Sequence, residues 1–194
     1  LYNPDIPYTI IVYFIPVDLE VDLVMETAVS FPEVNGSGAI AHLLARDSPE
    51  LLSECGVELR APGVGEKEAP NHLAVRFMAE GEDLLLRFVH VGNIRYGAWQ
   101  YIQFVLYKGR VAVFFNQTLV YLSDDTYPIP VKYVDDTPQY IHYQEPHLSV
   151  FNGSARFAYI ALYTLAEGST TSFAETIFQN AARPDVLPMG VLVY

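Results

Sequence analysis

One cysteine, one tryptophan and 11 basic residues are what this 194-residue chain has least of. Cys55 alone cannot close an intrachain disulfide, so the fold does not rest on a disulfide framework. Against the 11 Lys and Arg stand 23 Asp and Glu, for a net charge of −12. That balance excludes nucleic acid as a partner, because phosphate binding needs clustered cations, and it excludes anionic membrane surfaces for the same reason. The apolar run Ile10 to Ile15 is too short to cross a bilayer, so no membrane insertion is expected. The five histidines, His42, His72, His90, His142 and His147, show neither HxH nor HExxH spacing. There is no GxGxxG, no P-loop and no nucleophile elbow, and Cys55 lacks the motif of a catalytic thiol.

What the chain does have is apolar and aromatic material. Hydrophobic residues make up 51% and aromatics 13%, with 14 Tyr and 11 Phe, the excess that favours pleated sheet. Its 13 Pro and 12 Gly are spread along the chain rather than clustered, as turns between short strands require. Strands are expected at Tyr8 to Ile15, Glu20 to Thr27, Ala39 to Leu44, His72 to Met78 and Leu84 to Val91. The clearest unit is Trp99 to Val120, a hairpin in which Gly109 supplies the positive φ of the turn and Asn116-Gln117-Thr118 a polar corner. Further strands are expected at Val131 to Val134, Gln139 to Tyr143, His147 to Phe151, Ala155 to Tyr163 and Gly190 to Tyr194. Glu50 to Cys55 reads as a short helical turn and Arg60 to Pro70 as an exposed loop. One helix is expected, Phe173 to Ala182, with Ser172 and Glu175 as its capping box and Arg183-Pro184 as its stop. The sum is an all-β, two-sheet antiparallel sandwich with one short C-terminal helix, a single domain over 1–194 with terminal extensions.

The Trp99 hairpin resembles the central hairpin of laminin G-like, concanavalin A-like jelly rolls. The family pattern of Trp, alternating apolar residues, a Gly turn and an apolar return strand is met by Trp99, Gly109 and Val111 to Phe115, with Asn116-Gln117 where the family has Asp-Gly. Phe157 to Tyr163 is similar to the later family strand, with Ala158 in place of its Gly. Ser172 to Ile177 is similar to the helical turn that follows it. The resemblance covers about Trp99 to Ile177 and implies a jelly-roll domain that binds glycans or proteins outside the cell, often with calcium at one rim. The same fold hosts glycosidases, so the fold alone does not decide the function.

Three sequons, at Asn35, Asn116 and Asn152, fall at expected turns and point to an extracellular glycoprotein. The chain opens on Leu1 with no signal-peptide pattern, as a processed protein or a piece of a longer one does. Asp124-Asp125 and Asp135-Asp136 flank Tyr127 to Pro130 and are the candidate oxygen ligands for Ca²⁺; otherwise no cofactor is indicated. Tyr96, Tyr133 and Tyr140 are the candidate sugar-stacking rings, whereas Trp99 is assigned to the core. Glu20-Val21-Asp22-Leu23-Val24-Met25-Glu26 is the one glycosidase-like stretch. Its outer carboxylates lie about 20 Å apart on a regular strand, against the roughly 5–5.5 Å that a retaining pair needs, so Glu26 is read as part of a solvated acidic face. The leading expectation is therefore a non-catalytic extracellular structural, adhesion or assembly module, partnered by other protein subunits in a homo-oligomer or filament. The alternative is a carbohydrate-binding, lectin-like domain, calcium-dependent if the Asp rim binds the ion. A glycoside hydrolase is the third reading.

Overall fold

Period-2 alternation of apolar residues decides which face of each strand turns inward, and two sheets meet on those faces. The computed structural model describes residues 8–12, 22–34, 38–48, 53–79, 82–107, 109–123, 132–134, 137–139 and 147–165. One sheet has six strands, in the order β1 (Tyr8–Val12), β12 (His147–Phe151), β3 (Ile40–Ser48), β4 (Ser53–Arg60), β5 (His72–Ala79) and β6 (Glu82–His90). The other has five, in the order β13 (Arg156–Leu165), β2 (Asp22–Ser30), β7 (Gln100–Tyr107), β8 (Arg110–Phe115) and β9 (Thr118–Leu122). Every neighbouring pair is antiparallel. A separate two-stranded ribbon pairs β10 (Lys132–Val134) with β11 (Thr137–Gln139). The all-β, two-sheet reading of the sequence holds; the expected helix at Phe173 to Ala182 and strand at Gly190 to Tyr194 lie outside the described residues.

The core between the sheets takes Met25 and Val29 from β2, Val57 and Leu59 from β4, Val75 and Phe77 from β5, and Ile102 and Phe104 from β7, all essentially inaccessible to water. The Trp99 hairpin forms as expected, with Gly109 at φ 75°. The corner between β8 and β9 is tight although it lacks glycine. Asn116 and Gln117 both take positive φ, 47° and 67°, the two-residue hairpin geometry whose twist matches that of the flanking strands. The Asn116 side chain offsets the strain of its left-handed backbone. Its Oδ1 accepts from the Tyr101 N–H and its Nδ2 donates to Gln100 Oε1, each at 2.8 Å.

Three expectations are corrected. Ser53 to Cys55, expected in a helical turn, instead open the strand Ser53–Arg60 in the interior of the six-stranded sheet, and Glu50 to Leu52 lie outside the described residues. Cys55, Val57 and Leu59 alternate inward there, and burial of that stripe overrides the local propensity. The stretch after Arg60 is not wholly exposed: Ala61 and Val64 are buried in the main core, while Gly63, Gly65, Glu66 and Lys67 are open to solvent. Glu26 is not on a solvated face, being 8% exposed. The outer face of the five-stranded sheet carries a second apolar cluster, Val24, Val105, Ala112 and Phe114, and Glu26 stands in the same face as Val24.

Arg110 and Ser123 close the far end of β8. Ser123 Oγ accepts from the Val111 N–H at 2.8 Å, and the Ser123 carbonyl accepts from Arg110 Nη2 at 2.8 Å. Ser123 and Val111 are both fully buried. Ser123→Ala removes the acceptor while Val111 keeps its N–H, and an unsatisfied buried donor costs about 1–3 kcal/mol. Urea unfolding of the variant is expected to show that loss with an unchanged m-value.

Candidate functional site

The face of the six-stranded sheet that points away from the core is polar, and its polar groups are ordered in rows by the register. Ser149, His42, Glu58, Ala74 and Phe88 are consecutive cross-strand partners from β12 to β6 and share one face. One row along, His72 faces His90, and on the other side Gly56, Arg76 and Leu86 are partners. The outward members of β4 are therefore Glu54, Gly56, Glu58 and Arg60, and those of β5 are His72, Ala74, Arg76 and Met78.

Arg60 and Glu58 form the centre of this face. Arg60 Nη2 lies 2.7 Å from Glu58 Oε2, with side chains only 13% and 11% exposed. The Arg60 guanidinium carbon lies 4.9 Å from the centroid of the Phe88 ring. Ala74 sits between Glu58 and Phe88 in their row, and its single methyl leaves the space across which the arginine reaches the ring. Phe88 is 48% exposed, so part of its ring stays open to solvent beside the guanidinium. A second arginine is clamped next to this centre: Arg76 Nε donates to Asp83 Oδ1 at 2.8 Å and its Nη1 to Glu54 Oε2 at 3.1 Å. Burial works against the Arg76 charge. The hydrogen bond to Asp83 and the charges of Glu54, Asp83 and Glu58 outweigh it, and the guanidinium pKa lies above its ordinary value. At the end of the face the His72 and His90 rings meet edge to face, centroids 5.0 Å apart. His72 Nδ1 donates to the Pro70 carbonyl at 2.8 Å, which places a proton on Nδ1.

Fixed guanidinium forks, carboxylates and imidazoles within a few residues of an open ring are suited to one kind of ligand. Such a ligand has many hydroxyls, each both donor and acceptor, and an apolar C–H face. The ion pairs hold the side chains in place before a ligand arrives, which lowers the ordering cost of binding.

Sequence reasoning did not find this face. Its signal was the alternation of Glu54, Glu58 and Arg60 with Cys55, Val57 and Leu59, which was hidden by reading the segment as a helical turn. The named residues that the structure describes belong to other segments of the chain. Tyr96 is half-buried and packs against the main core. Tyr133 is in β10. Tyr140 lies outside the described residues, as do Asn35 and the calcium candidates Asp124, Asp125, Asp135 and Asp136. Among the described residues no group of three or more His, Cys, Asp or Glu is placed to hold a metal ion. Asn116 is exposed with its side-chain amide engaged as described, and Asn152 is exposed in a turn at φ 60°. Trp99 is not in the core; it is 42% exposed. Of the glycosidase-like stretch, Glu20 lies outside the described residues, and Glu26 Oε2 accepts from Gln103 Nε2 at 3.2 Å on the opposite sheet from Arg60. Among the described residues no helix is long and apolar enough to cross a membrane.

No protein-family model and no curated protein sequence matches the chain. Solved structures do. Carbohydrate-binding module CBM66 from Bacillus subtilis superposes with a TM-score of 0.57 at 14% identity, covering 80% of this chain and 81% of that one. Bacillus licheniformis β-glucanase does so at 0.53 and 13% identity, over 82% of this chain and 70% of its own. Xenopus laevis galectin-Ib does so at 0.50 and 14% identity, over 80% of this chain and 99% of its own. The fold these share is the concanavalin A-like jelly-roll sandwich. The chain has that fold, as the Trp99 hairpin led one to expect.

Proposed function

We propose that the chain is a non-catalytic carbohydrate-binding module that works outside the cell, and that the outer face of the six-stranded sheet around Arg60, Glu58 and Phe88 is its glycan-binding surface. The observation that carries this reading is the Arg60–Glu58 pair held at 2.7 Å beside a half-open phenyl ring on the outer face of the sheet. Its fold is also that of a carbohydrate-binding module and a galectin, as well as of a β-glucanase. The non-catalytic part is supported by the state of Glu26, a carboxylate 8% exposed and engaged by Gln103, on the sheet opposite the Arg60 face. The extracellular part is supported by the exposed turn at the Asn152 sequon. The adhesion role anticipated for the chain is then exercised through glycans.

The test is a glycan array with purified protein, paired with Arg60→Ala and Phe88→Ala. Arg60→Ala removes a charged hydrogen-bond donor worth about 1.5–3 kcal/mol, so binding is expected to weaken about 10- to 150-fold. Phe88→Ala removes a stacking ring worth about 0.5–1.5 kcal/mol, a loss of about 2- to 13-fold. Binding unaffected by both substitutions removes this face as the site. Release of reducing ends from a bound β-glucan overturns the non-catalytic assignment.

A further inference from the structure

The opposite sheet presents a different surface, and its chemistry is aromatic rather than ionic. Three large aromatic side chains are exposed there: Trp99 by 42%, Tyr101 by 50% and Tyr159 by 41%. The register places them together. Tyr101 is the partner of Ala28 in the pairing of β7 with β2. On the other side of β2 the pairing with β13 jumps from Phe157–Val29 to Ile160–Thr27, so Ala158 and Tyr159 are the bulge opposite Ala28. Phe157 and Ile160 both pack on the main core, while Ala158 and Tyr159 are exposed. Trp99 lies two residues before Tyr101 and continues its alternation. Tyr159 and Tyr101 thus flank the single methyl of Ala28 on strands whose backbones are about 10 Å apart. With 41% and 50% of their surfaces exposed, the two side chains present aromatic surface to a ligand.

The patch is held in place. The Tyr101 backbone is tied at both groups to Asn116, whose N–H donates to the Tyr101 carbonyl at 2.8 Å and whose Oδ1 accepts the Tyr101 N–H at 2.8 Å. The carbonyl of Tyr159 accepts the Thr27 hydroxyl, which fixes the bulge from beneath. One row along the same face, Gln103 presents an amide oriented by Glu26. The patch holds aromatic side chains rather than Asp, Glu, Lys or Arg, and the chain as a whole is strongly acidic.

We propose that Trp99, Tyr101 and Tyr159 form a second glycan-binding surface, on the sheet opposite Arg60, that takes neutral oligosaccharides by stacking their C–H faces on the rings. It rests on the carbohydrate-binding reading, though on none of the residues of the first face. Two surfaces on opposite faces make one chain able to bridge two polysaccharide strands. Charge complementarity sets the ligand class: an acidic chain with an uncharged aromatic patch takes an uncharged sugar and repels a polyanionic one.

Trp99 is the only tryptophan in the chain, so its fluorescence reports on this patch alone. Mixed-linkage β-glucan, laminarin, xylan and galactomannan are titrated into the wild type, Arg60→Ala, Tyr101→Ala and Tyr159→Ala, with polygalacturonate as the anionic control. At least one neutral polymer is expected to shift the Trp99 emission to the blue and shield it from iodide, in the wild type and in Arg60→Ala alike. Tyr101→Ala and Tyr159→Ala are each expected to weaken that response about 2- to 13-fold, with circular dichroism confirming the fold. Polygalacturonate is expected to leave the emission unchanged. No emission change with any neutral polymer overturns the second surface, while the first is judged separately by Arg60→Ala on the array. A blue shift that grows with protein concentration and without sugar also overturns it, because a second copy of the chain then covers the patch.

Discussion

Gly56→Ala is expected to lose at least about 3 kcal/mol of stability, at the upper end of what overpacking costs, and for a domain of this size to lower Tm by about 6–12 °C. Gly56 lies on β4 opposite Leu44. The pairing with β3 then slips, from Leu44–Gly56 to Arg46–Cys55, leaving Ala45 as an extra residue on β3. A Cβ at position 56 would meet the Leu43 carbonyl oxygen at 2.3 Å and the Leu44 Cα at 2.8 Å. Both are backbone atoms, so no rotamer change relieves the contact, and the two strands must part. They are interior strands of the six-stranded sheet, and the separation reaches the Arg60 face on one side and the core on the other. The entropy that alanine removes from the unfolded chain returns only about 0.4–1 kcal/mol. Gly65→Ala is the matched control: nothing lies within 4 Å of its Cβ, and its φ of −56° suits alanine. It is expected to be neutral or to stabilise by that same few tenths to 1 kcal/mol. Equal effects of the two substitutions in thermal unfolding would overturn the steric account of Gly56.

The same glycine explains why the fold was legible in the sequence and the site was not. β2 and β5 announce themselves by alternation and the Trp99 hairpin by two apolar strands about a glycine turn, and two antiparallel sheets follow from many such strands separated by turns. In β4 the outward series reads Glu54, Gly56, Glu58, Arg60, and a glycine within a strand pattern reads locally as a break. What glycine marks there is a bulge on the neighbouring strand, a tertiary fact. Trp99 was assigned inward because large aromatics bury the most area, yet parity with Tyr101 already turned it outward. Glu26 was assigned outward into water because carboxylates are seldom buried. Its face of the sheet is apolar as well, in Val24, Val105 and Ala112, and a part-buried Gln103 contact accommodates it. Single-strand patterns carry parity and lose register, and it is register that brings Glu58, Arg60 and Phe88 onto one surface.

Glu58→Ala is expected to cost about 3 kcal/mol and to abolish glycan binding at the Arg60 face, and the second effect is separable from the first. Removing one member of a buried ion pair costs about 3–5 kcal/mol, because the remaining charge keeps its desolvation. With the pair 13% and 11% exposed, the lower end applies. Replacing both members by apolar residues of similar volume, as in Glu58→Leu with Arg60→Met, removes the stranded charge along with the pair. Such replacements are close to neutral in general, so the double variant is expected to unfold within about 1 kcal/mol of the wild type. Its methionine also keeps a flexible apolar chain in reach of Phe88, which limits the packing lost with the guanidinium. Binding has no such route back. A hydroxyl-rich ligand needs the fork and the carboxylate themselves, and neither leucine nor methionine replaces a donor or an acceptor. The variant pair therefore separates a structural role from a recognition role: stability falls in Glu58→Ala and returns in the double variant, whereas binding of the glycans whose binding Arg60→Ala weakens is lost in both. A double variant that folds like the wild type and still binds the glycans whose binding Arg60→Ala weakens would place their site away from the Arg60 face. One that stays as unstable as Glu58→Ala would mean that the pair is chiefly structural. The aromatic patch of the opposite sheet, untouched by these substitutions, is expected to keep its Trp99 response throughout.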